Sequence, residues 1–322
     1  MLKTLPNKIL EKVGFRLIKL PHRDRNSLVT QSVLGQGQAD LFIHKISLDP
    51  LNAEYHLQYS KCAFKNGDPY LAFAELKTAE FLGADSVQAK ELSANIIKTM
   101  PVPEAMDNNR YSRFMTLASE IKDSKGADDV SVLDVGGGSG ALATFIPECS
   151  YCLADPMYNG ISGTKLPFPE RSFDYVVSCH VLEHIPPKSR EEFLDRLLSR
   201  AKRGVILLNP FFLENTCTEE RLKLFIDVTG SPWAKEHLEC SLPRLEDVKE
   251  YALQKGLAFR AEPKGSLMLS MALVFMDHFA AVGRFNNEWA RINSFINKKY
   301  LNIIDTPEYP TAYLIHLGRP GG

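Results

Sequence analysis

The stretch Val130 to Leu142, Val-Ser-Val-Leu-Asp-Val-Gly-Gly-Gly-Ser-Gly-Ala-Leu, constrains the chain more than any other. An apolar run ends in an acid, passes glycines at alternate positions and enters a helix-forming segment. The pattern predicts a strand, a tight turn and a helix start, the opening unit of a nucleotide-binding α/β domain. Gly136, Gly138 and Gly140 let the backbone turn sharply and let a ligand approach with no Cβ in the way. Asp134 falls at the carboxyl edge of the strand, where open α/β sheets bind ligands. Taken alone, Gly136-x-Gly138-x-x-Ala141 also fits the loose dinucleotide fingerprint.

The following segments separate the two cofactor classes. Tyr151-Cys-Leu-Ala-Asp155 predicts a second strand ending in an acid that can take both ribose hydroxyls, a feature both classes share. Next come Leu166-Pro-Phe-Pro-x-x-Ser-Phe-Asp174, Val181-Leu-Glu-His184-Ile, an Arg- and Glu-rich helix over Ser189–Lys202, and a strand over Gly204–Pro210. With Leu-Asp-Val-Gly-Gly-Gly-Ser-Gly, these make residues 130–208 resemble the class I S-adenosylmethionine-dependent methyltransferases. The resemblance implies a doubly wound, mostly parallel seven-stranded sheet with an antiparallel last strand. It also implies that Asp134 and the glycine turn face the methionine part of S-adenosylmethionine. Asp155 is then expected to hold the ribose, with Pro156 and Ser178 in the same pocket. Many members carry an Asp four residues before Leu-Pro-Phe to reach the adenine amino group. Ser162 stands there in this chain, so adenine recognition is expected from the backbone at Gly163 and from Leu166.

Trp233-Ala-Lys-Glu-His237-Leu-Glu-Cys-Ser-Leu-Pro243 resembles a segment of bacterial methyltransferases of surface-polysaccharide pathways. Asp155-Pro-x-x-Asn159-Gly160 and Tyr309-Pro-Thr-Ala-Tyr fit the same group. The implied acceptor is a sugar or glycan intermediate. A quinone or other small aromatic acceptor, and a non-catalytic cofactor-binding adaptor, remain as alternative readings.

Ahead of this domain, residues 1–100 read as a helical accessory domain, and 101–322 as the methyltransferase domain. Turn signals at 49–52, 66–69 and 83–86 delimit three helices, of which 49–84 resembles one tetratricopeptide repeat with small Ser60, Ala72 and Ala79. Gly35-Gln-Gly37-Gln reads as a loop, and Pro101-Val-Pro103 as the boundary. Asn108–Ile121 predicts a helix with Tyr111, Phe114, Met115, Ala118 and Ile121 on one face. Residues 1–25 carry seven Lys/Arg against two acids, with apolar residues at helical spacing. Such a segment either docks on its own domain or lies on an anionic membrane. An insertion at 263–305 opens with Leu-Met-Leu-Ser-Met-Ala-Leu-Val-Phe-Met (267–276). It reads as core beneath the sheet, as a homodimer face, or as a peripheral membrane contact.

Methyl transfer to a hydroxyl calls for a general base, for which histidine suits neutral pH. His237 and His180 are the expected catalytic residues on the acceptor side, and His184 is expected to be structural. No metal is expected: Cys149-x-x-Cys152 lacks a second pair, and Glu183 and Asn209 form no evident acidic cluster. The net charge of −1 gives no basic footprint for nucleic acid. Six scattered cysteines and the lack of a secretory pattern or spanning segment point to the cytoplasm, with contact at the inner membrane face allowed.

Overall fold

A computed structural model describes residues 32–123, 129–214, 216, 218–300 and 308–319; the basic segment at 1–25 lies outside them. Before the first strand come α1 (Ser32–Leu48), α2 (Ala53–Lys65), α3 (Pro69–Phe81), α4 (Ser86–Thr99) and α5 (Asn108–Asp123). The turn residues act as helix caps. Asn52 accepts from Tyr55 N–H, Asp68 from Leu71 N–H, and Asp85 from Val87 and Gln88 N–H, each satisfying orphan donors of a first turn. The loop expected at 35–38 is instead helical, within α1. Phe42 and Ile46 of α1 pack into the main core, and tertiary burial of this kind outweighs the modest helix penalty of glycine.

Six strands form one sheet among the described residues: β1 (Ser131–Val135), β2 (Ser150–Ala154), β3 (Phe173–Cys179), β4 (Ala201–Asn209), β5 (Ala258–Lys264) and β6 (Ala312–Gly318). Their order is β2-β1-β3-β4-β6-β5. The first four run parallel, and β6 lies antiparallel to both β4 and β5. Consecutive side chains of β1, β3 and β4 are buried, so the central sheet is covered on both faces.

The expected seventh strand is not among the described residues, and the reason is visible at β2. Its free edge is occupied by other groups. Leu153 N–H donates to Thr78 Oγ1 of α3 at 3.0 Å, and Leu153 C=O accepts from Asn159 Nδ2 at 2.9 Å. A helix and a side-chain amide thus satisfy the edge that another strand would otherwise pair. The crossover from β1 to β2 is also short. The helix expected after the glycine turn is a single 3-10 turn, Ala141–Thr144, and α3 packs beside it. Gly140 permits this, because a Cβ there would overlap Ala74 of α3. Residues of α1 to α5 and of the sheet consequently share one apolar core, running from Ile46, Leu57 and Leu76 to Leu133, Val177 and Ile206.

Beyond β3 lie a 3-10 turn at Leu182–His184 and α6 (Arg190–Arg200). The segment after β4 forms α7 (Thr218–Thr229), α8 (Pro232–Cys240) and α9 (Leu245–Gln254). The insertion is two helices, α10 (Leu267–Gly283) and α11 (Asn286–Lys299). It is not core beneath the sheet. Only Leu273 and Ala280 of α10 are buried, in a small separate cluster with Trp289, while Met268, Phe279 and Val282 are exposed. Asparagines fasten α11 to α5: Asn108 donates from N–H to Asn293 Oδ1 and from Nδ2 to Asn297 Oδ1. No helix among the described residues is long and apolar enough to cross a membrane.

Candidate active site

The carboxyl ends of β1 to β4 carry the polar groups. Asp134 ends β1 almost fully buried. Its Oδ2 accepts a 2.8 Å hydrogen bond from Tyr151 Oη, while its Oδ1 has no partner. Burial, opposed in part by the Tyr151 bond, pushes its carboxyl up to about 7. The glycine turn crowds this acid. A Cβ on Gly137 would overlap the Asp134 carboxylate, and one on Gly136 would overlap Val181. Gly136, Gly138 and Gly140 all have positive φ, as the tight turn requires.

Asp155 follows β2. Its Oδ2 accepts from Gly138 N–H at 2.9 Å, and its Oδ1 from Met157 and Tyr158 N–H at 2.8 and 3.1 Å. Of a carboxylate's roughly four lone-pair sites, three are in use, so there is room for one further donor rather than the pair of ribose hydroxyls expected. Asn159 holds this loop in place. Its Oδ1 accepts from Asp155 N–H, and its Nδ2 reaches Glu75 Oε1 of α3 at 2.9 Å. Glu75 in turn meets His56 Nδ1 at 2.6 Å. Tyr59 Oη donates to Tyr158 C=O, and Gly160 lies against Ile43. The ribose-side loop therefore rests on α1, α2 and α3.

The other expected cofactor contacts divide. Pro156 is exposed at the start of the loop. Gly163 backs onto Val135 and the Phe193 ring, Leu166 is buried in the core, and Ser178 Oγ donates to Val135 C=O. The last three side chains or Cα positions serve packing. Ser162 Oγ is paired with Thr164.

The histidines converge around one buried acid. His180, just past β3, adopts φ of +55°, rare for a residue with a Cβ and a strain of about 1–3 kcal/mol. Its N–H donates to Leu208 C=O. Its Nδ1 lies 3.1 Å from Glu183 Oε1 without hydrogen-bond alignment, and its Nε2 has no partner. Burial and the Arg113 charge bring its imidazole down to about 4, so it is neutral at physiological pH. Glu183 is fully buried; its Oε2 accepts from Asn209 Nδ2 at 2.6 Å. Burial would raise its carboxyl, yet the surrounding histidines hold it below the usual range. His184 Nδ1 pairs with Glu236 Oε2 at 2.8 Å, and His184 Nε2 faces His237 Nε2 at 3.2 Å. The 181–185 segment and α8 are clamped together by Arg190, which donates to Ile185 C=O and Cys240 C=O. His237 thus touches His184, the histidine expected to be merely structural, while His180 and His237 both approach Glu183 Oε1, at 3.1 and 3.8 Å.

A cleft of about 440 Å³ opens beside His180. It is walled by α5 (Asn109, Ser112, Arg113), the carboxyl edge of β4, β5 and the start of α10 (Ser266, Ser270). No Phe, Tyr or Trp side chain lines it. Arg113 lies on the face of α5 away from its apolar stripe, and no motif in the sequence singles it out.

Residues 104–262 match the family model described as a methyltransferase domain. That segment resembles a methyltransferase domain, and methyl transfer with S-adenosylmethionine as donor is the activity the match supports. No curated protein matches the chain. Among solved structures, a Bacillus subtilis protein, YcgJ, aligns at 14% identity over 65% of this chain and 99% of its own, with a TM-score of 0.40. A SAM-dependent methyltransferase of Archaeoglobus fulgidus aligns at 16% identity over 64% and 94%, TM-score 0.38. A phosphoethanolamine N-methyltransferase 2 of Haemonchus contortus, in complex with S-adenosyl-L-methionine, aligns at 14% over 63% and 52%, TM-score 0.38. Likenesses this distant decide nothing about substrate.

The methyltransferase domain fits its cofactor at the methionine end. The unpartnered, buried Asp134 Oδ1 suits an ammonium donor, and the glycine turn leaves no Cβ beside it. When bound, S-adenosylmethionine supplies an electrophilic methyl on a sulfonium. The chain's part is to hold that group and the acceptor in line and to keep water out.

Proposed function

We propose that this methyltransferase O-methylates a sugar or glycan intermediate, with His180 as the general base. The observation that carries this reading is His180 itself. It lines the acceptor-side cleft, keeps an unpartnered Nε2, and has Glu183 against Nδ1. A neutral imidazole can accept a hydroxyl proton as the acceptor oxygen attacks, which requires the acceptor to reach the buried Nε2. The strained backbone at His180 is in keeping with a side chain aimed for chemistry.

The cleft chemistry supports a polyhydroxylated acceptor over an aromatic one. Amides and hydroxyls at Asn109, Ser112, Thr116, Ser266 and Ser270 offer directional hydrogen bonds, and no Phe, Tyr or Trp ring is present for stacking. Arg113 makes no hydrogen bond or ion pair among the described residues and suits an anionic group on the acceptor, such as a uronate or a sugar phosphate. Glycine-turn and ribose-side residues supply the cofactor pocket, with Asp134, Gly136, Gly138, Gly140 and Asp155 lining it. His237 acts at one remove, through His184.

Incubation with methyl-labelled S-adenosylmethionine and a panel of anionic sugars, neutral sugars and catechols tests the reading. Label is expected on the sugars. His180→Ala should lower turnover about 10²–10⁴-fold with cofactor affinity, measured by calorimetry, unchanged. Label on catechols alone would move the acceptor to the aromatic class. Cofactor binding with no transfer to any acceptor would favour a binding adaptor.

A further inference from the structure

Glu183, His184 and His237 each offer one ligand atom, and these atoms all lie within 4.8 Å of one another. Their separations are specific. His184 Nε2 and His237 Nε2 are 3.2 Å apart, and Glu183 Oε1 lies 3.8 Å from His237 Nε2. Ligands about 2.0–2.1 Å from a tetrahedral zinc ion stand roughly 3.3 Å from each other.

What surrounds the three side chains makes the case stronger. Each of two ligands has its far atom held, which turns the near atom inward. His184 Nδ1 is engaged by the Glu236 carboxylate at 2.8 Å, so its Nε2 carries the lone pair. This is the carboxylate–histidine pairing that orients metal-bound imidazoles. Glu183 Oε2 is engaged by Asn209 Nδ2 at 2.6 Å, and its Oε1, fully buried, has no aligned hydrogen bond. Its close neighbours are imidazole nitrogens, His180 Nδ1 at 3.1 Å and His237 Nε2 at 3.8 Å, and a buried carboxylate oxygen without an aligned donor costs about 1–3 kcal/mol. The two Nε2 atoms share one hydrogen bond at 3.2 Å, and its proton is what a metal ion between them would displace.

We propose that Glu183, His184 and His237 form a binding site for a divalent transition-metal ion, with zinc the best fit. Two imidazoles and one carboxylate are a donor set of borderline softness. Three protein ligands leave a further coordination position open. Glu236 and Asn209 are the positioning residues of the site. His180 separates it from the cleft, since its Nδ1 lies against Glu183 Oε1. The site stands independently of the acceptor's identity.

The test uses the tag-free full chain, stripped with a chelator and titrated with Co²⁺. Wild type is expected to bind about one equivalent, with visible d–d bands of a four- or five-coordinate ion, and Zn²⁺ should displace it. Glu183→Gln and His237→Gln should each abolish the bands. Because both residues are buried, circular dichroism and thermal melts must show that the variants fold. Glu236→Gln, at a half-exposed position, is the variant that leaves the fold alone. It should weaken Co²⁺ about 10–100-fold. Added Zn²⁺ should raise the melting temperature of wild type and not of Glu183→Gln. Wild type with no saturable Co²⁺ signal, or binding that is unchanged in Glu183→Gln, His237→Gln and Glu236→Gln, would overturn the proposal.

Discussion

At Asp134, burial and ligand binding make opposite demands. Desolvation lifts its carboxyl to about 7, yet a cationic ligand end is best held by the anion. Cofactor affinity should therefore fall as pH drops from 8 to 6, which calorimetry at several pH values would register. Tyr151→Phe removes the hydrogen bond that favours the anion, so the fall should move to higher pH. A flat profile in wild type would show that Asp134 does not face the ligand. Gly140 makes a second residue-scale prediction. Its φ of +69° and its contact with Ala74 leave no place for a side chain, so Gly140→Ala should cost about 2 kcal/mol or more by urea unfolding. The glycines were legible in the sequence because only a few backbone conformations need them. The reason for Gly140 was not, since its neighbour Ala74 is remote in sequence and placed by the fold.

Among elements, α3 has the widest role. It covers the free edge of β2, contacts the glycine turn and supports the loop bearing Asp155. Thr78→Val keeps the shape but leaves Leu153 N–H without its acceptor. The expected loss is about 1–3 kcal/mol, read from the urea midpoint. The buried pair of His56 and Glu75 should make this region pH-sensitive. Burial opposes the charge on His56, but Glu75 outweighs it and the imidazole is raised. A raised histidine contributes stability that is complete below its unfolded value, near 6.5, and is lost as pH rises through the folded value. His56→Gln should thus cost more at pH 6 than at pH 9; equal losses would argue against a charged pair. The helices, caps and strands of this chain were legible because capping, period and turn chemistry are local. The missing strand and the shortened crossover helix were not. Both depend on α3 occupying the free edge of β2 and the space beside the glycine turn, and nothing within residues 136–172 announces it. The same holds for the histidines. Each was visible singly, while their convergence on Glu183 depends on α8 being clamped over the 181–185 turn by Arg190.

For the whole molecule, the shared core of helices and sheet argues for one cooperative unit. Calorimetric unfolding should show a single transition, and a fragment of residues 101–322 should fail to fold, exposing the β2 edge and the apolar surface under α3. Two separable transitions, or a folded fragment with bound cofactor, would instead mark α1 to α4 as a detachable domain. The other end of the sheet imposes a different order of events. β6 follows β5 in the chain but lies between β5 and β4. Among the described residues β5 pairs with β6 alone, so it cannot join the sheet first. During synthesis, the residues of β5 and both insertion helices leave the ribosome before the strand that anchors them, and the wall they give the cleft is built last. The cofactor half can be in place while the acceptor half is still open, so a nascent chain should become competent to bind S-adenosylmethionine before it can retain anything to methylate.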